Sequence, residues 1–151
     1  MTPLRFVSFQ LPSEHWPQAV AIRTAVFVDE QACPPEEEWD AYDATATHLI
    51  AMSGSAAVAT ARWRAVATPE GTAAKLERFA VLEDWRGRGI GRDLVAAMLG
   101  NAQVAGHTRF VLHAQAHLAG FYGSFGFTTA GPVFDEVGIP HVPMVRDDRA
   151  R

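Results

Sequence analysis

A chain of 151 residues, 48% apolar and 20% charged, can bury an ordinary core as one soluble globular domain without disulfides or a structural metal. Its single cysteine, Cys33, excludes an intrachain disulfide framework and fits a reducing compartment, so a cytoplasmic protein is expected. A net charge of -4 argues against a nucleic-acid partner, and the lack of a long apolar run argues against a membrane partner. Met1 to Gln10 carries one Arg and then alternates, so no secretory leader is expected.

In chain order, Leu4–Phe9 predicts a first strand by weak alternation. Ser13 can cap a helix whose apolar face is Trp16, Ala19, Val20, Ile22, Val26 and Phe27. Glu30 to Asp43 is acidic and interrupted by Pro34-Pro35, which predicts a loop with a short helix around Glu36 to Trp39. Thr47–Met52 and Ala56–Val66 read as strands joined by Ser53-Gly54-Ser55, and Ala73–Leu82 as a fourth strand after the turn Pro69-Glu70-Gly71. A helix begins near Ile90, with Leu94, Val95, Met98, Leu99 and Ala102 on its apolar face, and ends at Gly106. Thr108–Ala114 has the nearly all-apolar centre of a buried fifth strand. A short helix over Ala116–Phe125, a strand from Phe127, a turn at Gly138-Ile139-Pro140, a last strand His141–Val145 and a frayed tail Arg146–Arg151 complete the reading. This order predicts an α/β fold, a mixed sheet with helices on both faces and a ligand beyond the strand ends.

The strongest local signal is Arg86-Gly87-Arg88-Gly89-Ile90-Gly91, between the fourth strand and the helix at Ile90. Its glycines let the main chain curl with N–H groups converging, and the first helical turn adds unpaired donors and positive dipole. Gly91 removes a side chain where a phosphate would approach, and Arg86, Arg88 and Arg92 can add charge from the sides. The turn lacks the Gly-Lys-Ser/Thr of a P-loop and the spacing of a dinucleotide fingerprint. The competing reading is a basic surface turn whose glycines only serve packing.

Here the sequence resembles the GCN5-related N-acetyltransferase (GNAT) superfamily and, within it, the ElaA-like group. The superfamily's Arg/Gln-x-x-Gly-x-Gly/Ala motif stands as Arg86 to Gly91, preceded by Phe79-Ala80-Val81. A second motif stands as Phe121-Tyr122-Gly123-Ser124-Phe125-Gly126-Phe127. The ElaA-like segments are Val26 to Gln31, Ala114 to His117 and Glu136 to His141, so the resemblance spans nearly the whole chain as a single domain, 1–151. It implies a mostly antiparallel central sheet splayed between its fourth and fifth strands, with acetyl-CoA as co-substrate in the gap. Main-chain groups of Arg86, Gly87, Arg88, Gly89, Ile90 and Gly91, with Arg92 beside them, would hold the diphosphate. Phe79, Ala80 and Val81 would pair with the pantetheine arm, and Tyr122 would stand near the sulfur.

The chemistry implied is acyl transfer to an amine, by direct attack with both substrates held together. Tyr122 can protonate the leaving thiolate, or else is only a packing aromatic. Glu77 is a candidate base because strand parity puts it on one side with Phe79 and Val81; a salt bridge to a neighbour such as Arg78 or Lys75, or to a more distant Arg, is the competing reading. His113, at the end of the fifth strand, is a further catalytic candidate, with His117 and His141 behind it. No metal is expected, since the histidines lack a ligand pattern. Cys33 reads as structural, because neighbouring acids disfavour its thiolate. The acidic stretch, with Trp39 and Tyr42, is either an acceptor wall for a cationic amine or a solvated face. The acceptor is expected to be a small amine or a protein or peptide amine, and a homodimer is compatible with the sequence. The alternatives are an idle acyl-CoA-binding sensor or structural protein of the same fold and a nucleic-acid module built on Arg86–Arg92.

Overall fold

The computed structural model describes residues 3–149. Its strands are β1 (Leu4–Phe9), β2 (Thr47–Ser53), β3 (Ala56–Thr68), β4 (Gly71–Val81), β5 (Arg109–Gln115), β6 (Thr128–Thr129), β7 (Phe134–Glu136) and β8 (Ile139–Asp147). They form one sheet in the order β1-β2-β3-β4-β5-β8-β6, with β7 paired to β8. Every pairing is antiparallel except β4 with β5. That parallel pair joins only at Ala74 with Phe110 and Lys75 with Val111. Beyond Lys75 the two strands separate, as the family resemblance implied.

Helices cover both faces. On one face, α1 (Trp16–Arg23) packs Ala19 and Ile22 onto Ile50, Met52 and Ala80. On the other, α3 (Ile90–Val104) buries Ile90, Leu94, Val95, Met98, Leu99 and Ala102 against Leu49, Ala61, Leu76, Phe110 and Leu112. Full burial of each large aliphatic there contributes about 1.5–3 kcal/mol, which is why the spacing of this helix is so legible. The short α2 (Pro35–Glu38) and α4 (Ala119–Gly123) flank the separation of β4 and β5. Among the described residues no helix is long and apolar enough to cross a membrane.

Several boundaries differ from the sequence reading. The first helix does not run on in α form: Thr24–Glu30 widens into a π-helical stretch, closed by Gln31 N–H donating to the Val26 carbonyl. Ser13 does not cap that helix; its hydroxyl accepts from the His15 N–H in the preceding turn. The late turn is Val137-Gly138 rather than Gly138-Ile139-Pro140, because both residues take positive φ, +48° and +79°, the geometry of a two-residue hairpin. Arg146 and Asp147 continue β8, where Arg109 pairs with Asp147, so the tail is ordered to that point; Ala150 and Arg151 lie outside the described residues.

Candidate active site

Where β4 and β5 part there is a cleft of about 210 Å³. Phe27 and Gln31 reach it from the π-helical stretch, Glu77 and Phe79 from β4, His113 from β5, Tyr122 from α4 and Glu136 and His141 from the β7–β8 hairpin.

A bulge in β4 decides which group faces which way. Glu77 stands opposite Arg62 and Ala80 opposite Thr60, so Arg78 and Phe79 together oppose Ala61. Arg78 takes the left-handed conformation that the extra residue needs, with φ +60°. The alternation therefore inverts. Before the bulge, Ala74 and Leu76 face the α3 side; after it, Phe79 and Val81 do, and Ala80 turns to α1. The parity argument that put Glu77 on one side with Phe79 and Val81 is thus corrected: Glu77 faces the α1 side, with Arg62 and Arg64. Short strands and bulges leave no mark in a residue pattern when the residue that strains is an Arg rather than a Gly.

Tyr122 is buried on the α3 side among Phe79, Phe121 and Phe127, with ring centroids at 5.9, 5.1 and 6.3 Å. Burial raises its phenol well above the ordinary value, so it keeps its proton throughout the neutral range. Phe79, Ala80 and Val81 lie past the last β4–β5 pair, and the β4 edge there has no strand partner on the β5 side.

The glycine turn lies outside the residues lining the cleft. Gly87 and Gly89 take φ of +77° and +78°, and Gly89 caps α3 with no side chain on the first-turn donors. A Cβ built at Gly87, Gly89 or Gly91 would meet nothing within 4 Å. The space over the first turn is open to an anion, and the residues present fit a diphosphate held by main-chain N–H groups. Ile90 can offer only its main chain to the turn, since its side chain is in the core. The arginines are partly committed. Arg86 donates to the Val81 carbonyl and pairs with Glu30 at 2.7 Å. Arg88 donates to the Asp84 carbonyl and lies over Trp85. Arg92 lies over Phe121 and Phe125, 5.9 and 5.4 Å from their centroids, linking α3 to α4.

The acidic stretch is divided: Glu30, Glu36 and Glu37 are exposed, with Glu37 at the cleft, whereas Glu38 and Asp43 turn inward onto buried arginines. Arg23, fully buried beneath Trp39, pairs with Glu38 and Asp43, both at 2.7 Å. Arg62, equally buried, holds Asp40 at 2.9 Å, Asp43 at 2.6 Å and Glu77 at 3.2 Å. Arg78 adds contacts to Glu38 and Asp40, and Arg64 lies over Tyr42. Burial pushes Asp40 up, but Arg62 and Arg78 outweigh it and hold the carboxyl at about 2. Burial pushes Glu38 up and prevails over its arginines. Sequence reasoning missed this network; the usable signal was Arg62 and Arg64 alternating with Ala61 and Trp63 on an otherwise apolar strand.

Glu77 also accepts from Arg64 at 2.7 Å and sits 3.5 Å from Lys75. Burial raises its carboxyl, yet Arg64, Arg62 and Lys75 draw it below the usual range. His113 lines the cleft 3.5 Å from Glu136, which also lies 3.7 Å from His141. His117 is exposed outside the cleft. Cys33 is buried at the cleft wall, its thiol raised by burial and by Glu38 and Glu37. Among the described residues no group of three or more His, Cys, Asp or Glu is placed to hold a metal ion.

Residues 14–147 match the acetyltransferase (GNAT) domain family. A Bacillus subtilis protein described as a candidate acetyltransferase is 40% identical over 133 residues, covering 86% of this chain and 88% of its own. The crystal structure of Escherichia coli ElaA superposes with a TM-score of 0.83 at 30% identity, covering 96% of this chain and all (100%) of that one. An acyl-CoA N-acyltransferase from Pseudomonas aeruginosa superposes with a TM-score of 0.84 at 30% identity, covering 95% of this chain and 99% of its own. With a sheet that parts between β4 and β5, an open glycine turn before α3 and these matches along its length, the chain belongs to the GNAT acetyltransferase family, with ElaA among its relatives.

Proposed function

We propose that the protein transfers an acetyl group from acetyl-CoA directly to a primary amine, in a complex that holds both substrates. One observation carries this reading. The cleft joins the two faces of the sheet, with Tyr122 on the α3 side and Glu77 and His113 on the other. When bound, acetyl-CoA supplies an activated thioester carbonyl. The chain's residues divide the remaining work. N–H groups of the Gly87–Gly91 turn receive the diphosphate, and the unpaired edge at Phe79–Val81 receives the pantetheine amides. An N–H near Val81 polarises the carbonyl as negative charge develops on its oxygen. Tyr122, kept neutral by its burial, offers its proton to the departing sulfur. The acceptor amine enters from the α1 side, as a small molecule or as a lysine or N-terminal amine of a peptide. The resemblance to a named acyl-CoA N-acyltransferase at 30% identity supports the same assignment.

The test is CoA and acetyl-CoA titration of the purified chain, then turnover against a mixed amine panel with Tyr122→Phe alongside. The variant is expected to lose about 100-fold in kcat while acetyl-CoA affinity stays within about twofold. Absent affinity for any CoA species would overturn the assignment. Binding without turnover would leave an idle acyl-CoA binder of the same fold.

A further inference from the structure

On the acceptor side of the cleft, we infer that His113, Glu136 and His141 form a proton relay in which His113 takes the proton from the amine. The inference rests on the acyl-transfer reading and assigns the proton acceptor within it.

Glu136 is held between two imidazoles. Its Oε1 lies 3.5 Å from His113 Nδ1, and its Oε2 lies 3.7 Å from His141 Nε2. A carboxylate beside Nδ1 favours the tautomer with the proton on Nδ1, which leaves His113 Nε2 with a free lone pair. His141 Nδ1 sits 2.7 Å from the Ile139 carbonyl oxygen, which can only accept, so that nitrogen carries a proton. The nitrogen of His141 that can take up and return a proton is Nε2, the one facing Glu136. The Phe134 ring packs at 5.0 Å from His113 and 6.1 Å from His141, steadying both. All three titratable groups line the cleft.

The hairpin holding Glu136 is strained in a telling way. Val137, β-branched, takes φ +48° at the first turn position, followed by Gly138 at +79°. Such a residue rarely adopts this conformation, and strain of this kind persists where the surroundings over-determine a site. Its effect is to pair Glu136 opposite Ile139 and keep the carboxylate at the cleft. Glu77, by contrast, is already engaged by Arg62, Arg64 and Lys75.

His113 Nε2 takes one proton from the ammonium, and the freed nitrogen bonds to the acyl carbon. The C–S bond then breaks. The nitrogen loses its second proton to Tyr122, which has given its own to the sulfur. One amide and one thiol result, and one proton leaves to solvent from the Glu136 carboxyl, which is 42% exposed, with His141 Nε2 able to hold it in passing.

Two measurements test the relay. Carboxyl-carbon NMR on the full chain reads Glu136 directly. Its carboxyl is held below the usual range chiefly by His113, against the push of burial, with smaller help from His141 and Lys75. Its titration is expected to move to higher pH in His113→Gln and, less, in His141→Gln. In turnover, His113→Ala is expected to lose about 100-fold in kcat with acetyl-CoA affinity kept, and added imidazole should restore part of it. Glu136→Gln should lower kcat about tenfold with acetyl-CoA affinity kept, and Glu136→Asp should keep part of the lost turnover. The groups facing Glu136 are His113 from β5, His141 from β8 and Lys75 from β4, so Lys75→Met is run beside them to separate its field. An unmoved Glu136 titration, or a Tyr122-dependent enzyme in which imidazole rescues nothing and Glu136→Gln turns over as fast as the wild type, would overturn the relay while leaving the transferase reading intact. A wild-type chain that binds no acetyl-CoA would sink both.

Discussion

The glycine turn before α3 and the acidic stretch before β2 are both dense in charge, and they are built in opposite ways. The turn presents main-chain donors to open space, and its arginines lie along the surface. The acidic stretch turns part of its charge inward, so that Glu38, Asp40 and Asp43 surround the almost fully buried Arg23 and Arg62, while Glu36 and Glu37 stay exposed. A run of like charge in sequence therefore says little about whether that charge is free. Only the positions of opposite charges on other elements decide it, and here they are on α1, β3 and β4.

The comparison can be broken first at Arg62. Arg62→Ala takes from Asp40, Asp43 and Glu77 the buried cation they share and is expected to cost about 3–5 kcal/mol by urea denaturation. Arg92→Ala, at the turn, should stay within about 1 kcal/mol. A small loss at Arg62 would show that the network is not a structural keystone.

Acid should separate the same two regions. Asp40, at about 2 in the folded chain against an ordinary 3.8, adds stability that is complete above pH 4 and is lost as pH falls towards 2. Glu77, also lowered, acts in the same direction; Glu38, raised, acts in the other, but its gain comes as pH falls towards 4.5, before that window. The slope of stability against pH in that window should flatten in Asp40→Asn. An unchanged slope would mean that the Asp40–Arg62 pair is not felt in solution.

The finest distinction is at Gly91. It sits inside α3 with ordinary helical φ, and a Cβ there meets nothing. Gly91→Ala should therefore stabilise the helix by about 0.5–1 kcal/mol. The added methyl would stand over the first-turn donors, so acetyl-CoA affinity should fall severalfold in isothermal titration. Stability gained with affinity unchanged would place the diphosphate elsewhere.

Much of this protein is written locally. The α3 face, the β5 core and the glycine turn follow from spacing over a few residues, because a helix stripe, a buried strand and a left-handed turn each impose their own short-range pattern. The glycines at 87 and 89 are legible for the same reason: positive φ selects them. Tertiary structure decided the rest. The bulge at Arg78–Phe79 inverted the face of Glu77, and nothing in the β4 residues announces it, since an Arg rather than a Gly bears the left-handed conformation. The pairing of Arg23 and Arg62 with acids 15 to 22 residues away, and the capture of Glu136 between histidines from two other strands, depend on strand order and register. Local steric preference acts between neighbours in the chain, whereas charges meet wherever the sheet brings them together.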